Sequence, residues 1–226
     1  HLLSRRQRQM CIRDRLLTSM ITLFPIFIGL LLWNQLPDSM ATHWGIDNGP
    51  NGYASKSFAV FGLPLIMLLG QIVCVIAMNI DPKVKNISEK VYFVILWIIP
   101  LLSLFICNAL YGYNLGYQLD MGFLCALMIG VFYLILGNFI PKVKQNYAIG
   151  FRISWALCDP ENWYRTHRFG GKCMVIGGII MIVTAPFQNM WILIALILVP
   201  CILPVIYSYL YLSLIHISEP TRPISI

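Results

Sequence analysis

His167 stands in the one run of this chain where titratable side chains gather. Asp159 and Glu161 precede it, and Arg165, Arg168 and Lys172 surround it. An imidazole close to carboxylates can move a proton, and histidine's unperturbed pKa of ~6.5 suits that work. This cluster lacks a paired nucleophile and is crowded by cations, so a hydrogen-bonded imidazole at a membrane interface is the simpler reading. A second set, His43, Trp44, Tyr53 and Lys56, lies far away in the sequence. A zinc centre needs several converging ligands, and the two histidines stand alone. There is no Gly-x-Ser-x-Gly run, no phosphate-cradling glycine loop and no His-Glu-x-x-His run. Cys11, Cys74, Cys107, Cys125, Cys158, Cys173 and Cys201 show no metal or redox spacing and read as small apolar filler. The chain is therefore expected to be no enzyme, to hold no metal and to need no cofactor.

Apolar residues are 58% of the 226, charged residues 11%, and mean hydropathy is +0.74. A soluble domain carries about 25% charged residues. That contrast excludes a water-soluble globule, a disordered chain and a protein that binds nucleic acid directly. A polytopic membrane protein remains. The formal charge of +7 is inflated by the ends. Arg5, Arg6, Arg8, Arg13 and Arg15 crowd residues 1–15 without helical or strand period, and the run from Gln9 to Arg15 resembles translated sequencing-adapter read-through. The run from Ser213 to Pro223 resembles the same source. Residues 1–15 and 213–226 are set aside as non-native. Ten basic and seven acidic residues are left, so the basic balance is no argument for an acidic partner.

Six apolar runs remain: Leu16 to Leu36, Ala59 to Met78, Val91 to Tyr111, Met121 to Phe139, Gly170 to Pro186 and Met190 to Leu212. Each is near the ~20 residues that cross a bilayer as a helix. The expected fold is all-α with six transmembrane helices. Lysine and arginine placement sets orientation. Lys83, Lys85, Lys90, Lys142, Lys144, Arg152, Arg165, Arg168 and Lys172 fall on one side, and Lys56 alone on the other. Both termini and the second and fourth loops are expected on the cytoplasmic side of the membrane. The Pro37 to Phe58 loop, the Gly112 to Asp120 loop and the turn Phe187-Gln188-Asn189 are expected outside.

No Asp, Glu, Lys or Arg lies in the hydrocarbon part of a run, which argues against a pump or an ion-coupled transporter. Gln71 and Asn108 are the notable polar groups there and are expected to bond between helices. Gly122, Gly130 and Gly137 mark one helix stripe; Gly171 with Gly178, and Gly170 with Gly177, mark others that allow close approach. Pro25, Pro100, Pro200 and Pro204 predict kinks. Asp159-Pro160-Glu161 reads as a helix start, with Asp159 as cap and Pro160 at the first position. That helix would carry Trp163 and His167 on one side and continue into the fifth span. Before it, Tyr147, Phe151 and Trp155 alternate with Lys144 and Arg152, a pattern that suits the headgroup boundary.

Two loops are more specific than their neighbours. The first reads Leu36-Pro37, Thr42-His43-Trp44, then Gly49-Pro50-Asn51-Gly52-Tyr53-Ala54-Ser55-Lys56. It resembles the signature of the small DUF1648 module. The second reads Gly137-Asn138, Pro141-Lys142, Asn146-Tyr147, Ile149-Gly150-Phe151-Arg152, Trp155-Ala156-Leu157, Trp163, and Thr166-His167-Arg168-Phe169-Gly170-Gly171-Lys172. It resembles the core motif of the SdpI family of bacterial immunity proteins, in which that module follows a DUF1648 module. The family pattern Arg-Thr-Pro-Trp is here Arg152-Ile153-Ser154-Trp155, which frees the backbone before Trp155.

The resemblance divides the chain into 16–78, a DUF1648-like helical hairpin with its outer loop; 79–120, the third span and flanking loops; and 121–212, the SdpI-like module. It implies a membrane immunity protein that shields the cell from a secreted peptide toxin. It also implies a receptor that holds a cytoplasmic transcriptional repressor at the membrane. The outer-loop candidates for toxin contact are His43, Trp44, Gly52, Tyr53 and Lys56. The inner-loop candidates for docking a partner are Asn138, Asn146, Gly150, Arg152, Trp155, Trp163, Thr166, His167 and Arg168, and the same loop suits contact with the lipid bilayer. The alternative is a small-solute transporter or a membrane protein without a toxin partner.

Overall fold

The computed structural model describes residues 2–45, 47–187 and 189–218. Gln188, in the turn expected outside, and residues 219–226 of the stretch set aside at the C-terminus lie outside the described residues. Among the described residues seven α-helices carry the fold: α1 (Leu2–Leu31), α2 (Leu63–Ile80), α3 (Glu89–Asn114), α4 (Met121–Phe139), the short α5 (Ser154–Cys158), α6 (Pro160–Thr184) and α7 (Met190–Ser218). Six apolar helical segments among these residues are long enough to cross a membrane: Ile12–Leu31, Phe58–Ile80, Glu89–Asn114, Met121–Lys142, Pro160–Phe187 and Met190–Ser213. The protein is a polytopic all-α membrane protein. Among the described residues the one sheet is a two-stranded antiparallel hairpin, β1 (Ser39–Trp44) with β2 (Pro50–Ser55).

Packing divides the chain into two compact units. Residues up to 79 join 92–121, and residues 80–91 join 122 onward. The third span thus packs with the first two, and the short 80–91 connection belongs with the SdpI-like half.

In the first unit a buried polar chain ties the helices. Thr22 Oγ1 donates to Gln71 Oε1 at 2.5 Å, Gln71 Nε2 donates to Thr18 Oγ1 at 2.8 Å, and Ser103 Oγ donates to the Thr22 carbonyl at 2.8 Å. Gln71 thus makes the interhelical bond expected of it. Asn108 does not: it is exposed, and its amide donates back to Leu104 O of its own helix at 2.7 Å. The kink-prone Pro25 is also served, because the Tyr111 hydroxyl donates to the Pro25 carbonyl at 3.2 Å. Entry into α2 is a π-helical turn at Phe58–Gly62, where Leu63 N–H bonds back to Phe58 O. It precedes Pro64, which has no N–H to give to a regular α-turn.

In the second unit α6 receives a neighbour on each of two faces. A Cβ on Gly137 of α4 would sit 2.7 Å from Gly171 O, and one on Gly178 would sit 2.7 Å from Gly130 O. On the other face a Cβ at Gly177 would meet Pro200 Cγ at 2.6 Å, and Gly170 faces Pro204. The prolines of α7 are therefore seated in glycine notches. Close backbone approach of this kind supplies packing where lipid removes any hydrophobic drive between helices.

Candidate functional site

The segment 143–153, which leads into the short α5, has no helix or strand of its own, so its backbone groups must find other partners. Asn146, fully buried, folds the first turn locally: its Oδ1 accepts Ala148 N–H at 2.9 Å and Ile149 N–H at 2.7 Å, and its Nδ2 donates to Lys144 O at 2.8 Å. Asp81 supplies the long-range anchor. Its Oδ2 accepts Tyr147 N–H at 2.7 Å and Ala148 N–H at 2.8 Å, while Oδ1 accepts Lys83 N–H at 2.7 Å. Asp81 is 5% exposed. Gln145 strengthens the same joint. It accepts from Lys83 Nζ at 2.8 Å, its carbonyl accepts from Asn86 Nδ2 at 2.6 Å, and its own amide donates to Leu157 O at 2.6 Å. Lys83 Nζ also sits 5.3 Å from the Tyr147 ring centre.

The loop then meets α6 at His167. Asp159 caps that helix as the sequence predicts, accepting Glu161 N–H at 3.0 Å with Pro160 in the first turn. Trp163 and His167 lie on its buried side. The Trp163 indole donates to Val143 O at 2.9 Å, and its ring stacks on the imidazole with centres 3.9 Å apart. His167 uses both nitrogens. Nε2 accepts Phe151 N–H at 3.1 Å; Nδ1 lies 2.8 Å from Trp163 O, so it must donate. The pair of partners selects one neutral tautomer. The chain can pass this ring only because residue 150 is glycine: its φ is +112°, and a Cβ there would overlap His167 Nε2.

A third joint ties α6 to α7. Asn162 Oδ1 accepts from Thr166 Oγ1 at 2.9 Å and from Ser208 Oγ at 2.6 Å, and Asn162 Nδ2 donates to Ser208 O at 3.1 Å. Trp155 Nε1 donates to Ser208 Oγ at 2.9 Å. Asn162, Thr166 and Ser208 are fully buried. Every polar atom in this knot has a partner, which is what a low-dielectric position demands.

In the first unit the outer-loop candidates sit on the β-hairpin. Asn114 at the end of α3 behaves as a third strand toward β1: its Oδ1 accepts Ala41 N–H at 2.8 Å and its Nδ2 donates to Ala41 O at 3.0 Å. Lys56 closes the hairpin base, with Nζ 3.0 Å from Asp38 Oδ1, 3.2 Å from Trp33 O and 5.2 Å from the Trp33 ring centre. Trp44 packs edge-on against Tyr113 with centres 5.0 Å apart. Asn48 carries a φ of 60° in the turn, a conformation asparagine tolerates. His43 is exposed and bonds Asn51 through Nδ1 at 2.6 Å, with Gly52 close beneath its Cβ; Tyr53 is 62% exposed. Replacing Asn114 with alanine strands both Ala41 groups and is expected to cost about 2 kcal/mol. Hydrogen exchange across residues 39–55 checks it: faster exchange is expected there, with the helices unchanged.

Of the inner-loop candidates, Asn146, Trp163, Thr166 and His167 are buried, Gly150 is a conformational necessity, and Trp155 is half-buried against Ser208. They hold the loop and offer little to a partner. Arg152 and Arg168 are exposed, as is Asn138, whose amide donates back to Leu134 O at 2.7 Å. Arg152 Nη1 donates to Tyr147 O at 3.0 Å. The sequence reading missed Asp81, Gln145, Asn162 and Ser208. Ser208 left a readable signal, a hydroxyl inside an apolar run that must find a partner. Asp81 left none.

Residues 20–68 match the Domain of unknown function DUF1648, and residues 142–208 match the SdpI/YfhL protein family. The second match begins as the loop begins and ends at Ser208. The immunity protein SdpI of Bacillus subtilis (strain 168) is 26% identical over 207 residues, which cover 88% of this chain and 96% of that protein. No solved structure matches. With both modules present and nearly the whole length of that relative covered, the chain is a multi-pass bacterial membrane protein whose residues 142–208 belong to the SdpI/YfhL protein family.

Proposed function

We propose that this protein is a membrane immunity protein that protects its cell from a secreted, membrane-active peptide toxin, and that it acts by binding without catalysis. The observation that carries this reading is the match to an immunity protein along nearly its entire length. The lysines and arginines gathered around 83–90 and 142–172 support an orientation with both termini and those loops in the cytoplasm. The β-hairpin then faces the side from which a secreted toxin arrives, with His43 and Tyr53 as its open contact residues. On the other side the exposed Lys144, Tyr147 and Arg152 form the surface offered to a cytoplasmic repressor. Toxin that binds one helix arrangement better than another would shift the population toward it and change that surface.

The test is expression in a toxin-sensitive bacterium. Growth in the presence of toxin is expected with this protein, and is expected to be lost on His43→Ala with Tyr53→Ala at equal membrane abundance. Unchanged killing with the wild-type protein correctly inserted would overturn the immunity reading. A reporter under a co-expressed repressor separates the second role: Arg152→Ala should abolish its induction while leaving survival intact.

A further inference from the structure

We propose that the cleft between α6 and α7 binds the headgroup of an anionic phospholipid, whose acyl chains follow the apolar stripe of the same two helices. The cleft, about 340 Å³, is lined by Glu161, Tyr164, Arg165, Arg168, Lys172 and Tyr207. Phe169 stacks on Tyr207 at its floor, with centres 4.6 Å apart. Three cations meet one acid there. Glu161 is committed to Arg165 at 2.6 Å. Arg168 lies over the Tyr164 ring at 5.4 Å, and neither it nor Lys172 has a carboxylate partner among the described residues. The cleft therefore keeps an unspent positive charge beside phenolic hydroxyls, the complement of a phosphodiester.

Its level along the helix points to a lipid. The exposed stripe of α6 passes from Arg165, Arg168 and Lys172 to Ile176, Ile179, Ile180 and Val183. The change takes one helical turn, between Lys172 and Ile176. On α7 the positions below Tyr207 at intervals of four are Leu203 and Val199, both exposed. The apolar segment Pro160–Phe187 has 28 residues, about 42 Å as a helix against about 30 Å of hydrocarbon. Its charged end thus stands at headgroup height, and the cleft opens directly onto the acyl-facing surface. A soluble partner would have no use for that continuation.

Full-length protein in neutral detergent can be titrated with fluorescent phosphatidylglycerol, with phosphatidylcholine of the same chains and with glycerol phosphate. Phosphatidylglycerol is expected to bind at least tenfold tighter than either of the others. The double variant Arg168→Gln/Lys172→Gln is expected to lose roughly thirtyfold for phosphatidylglycerol. The charge-preserving pair Arg168→Lys/Lys172→Arg should stay within threefold of wild type. If the double variant unfolds, Lys172→Gln alone decides, with an expected loss of roughly fivefold. Equal affinity for the two lipids, or unchanged phosphatidylglycerol binding by these glutamine variants, would overturn the proposal and leave the cleft to a protein partner. Glycerol phosphate binding as tightly as the lipid would overturn it in favour of a soluble phosphate site.

Discussion

Asp81→Ala is expected to lower stability by about 3–5 kcal/mol, among the largest losses available to any single substitution outside the helix cores. The carboxylate accepts three backbone N–H groups, from Lys83, Tyr147 and Ala148. Hydrogen bonds to a charged acceptor are worth about 1.5–3 kcal/mol each, and donors left unpaired in a buried site add their own desolvation cost. Their sum is reduced because water can enter the space the side chain leaves. Asp81→Asn keeps one acceptor oxygen and turns an amide N–H toward a backbone N–H, so it should recover no more than half of the loss. Thermal unfolding in detergent checks both: a fall of about 10 °C is expected for alanine. Hydrogen exchange should rise first at Tyr147 and Ala148. A melting temperature within 2–3 °C of wild type, about 1 kcal/mol by the same scaling, would show that the loop 143–153 is held by other contacts.

Gly150→Ala is expected to be comparably damaging, for a different reason. At φ +112° any L-residue is strained, and the added methyl overlaps His167 Nε2. Backbone strain costs about 1–3 kcal/mol. Displacing the ring forfeits the Phe151 N–H bond and disturbs the 3.9 Å stack with Trp163, for roughly 3–5 kcal/mol in all. The two contributions can be separated. His167→Ala removes the obstacle but not the strain, so Gly150→Ala/His167→Ala should be less destabilised than the two single losses added together. A coupling of about 1–3 kcal/mol is expected in a double-mutant cycle. Strict additivity would mean that glycine is required at 150 for its backbone alone.

Both sites lie in the stretch that matches the SdpI/YfhL family or contact it directly. Together they explain why the motif reads as scattered small, aromatic and amide residues. Asn146, Gly150, Trp163, Thr166 and His167 shape and clamp an irregular loop, and exposed Lys144, Tyr147 and Arg152 are displayed by it. A loop held by buried, fully partnered polar groups has few ways to rearrange. Any movement of this loop must therefore follow its anchors, Asp81 in the connection after α2, Asn162 on α6 and Ser208 on α7.

The amino-acid sequence by itself determined the membrane class, the six spans, the capped start of α6 at Asp159 and the small-residue faces of α4 and α6. Each of these depends on hydropathy, helical period or the chemistry of neighbours a few residues apart, which one chain can display. Only the tertiary structure decided which polar groups find each other. The Asp81 anchor spans 66 residues to Tyr147, the Asn162–Ser208 knot spans 46, and Asn114 reaches back 73 to Ala41. No spacing rule announces such pairs, because folding selects them by the need to satisfy each buried donor and acceptor once the helices have met. The same need turned a loop of glycine, proline and asparagine into a hairpin. Its edge is completed by a side chain from α3 that the sequence around it gives no reason to expect.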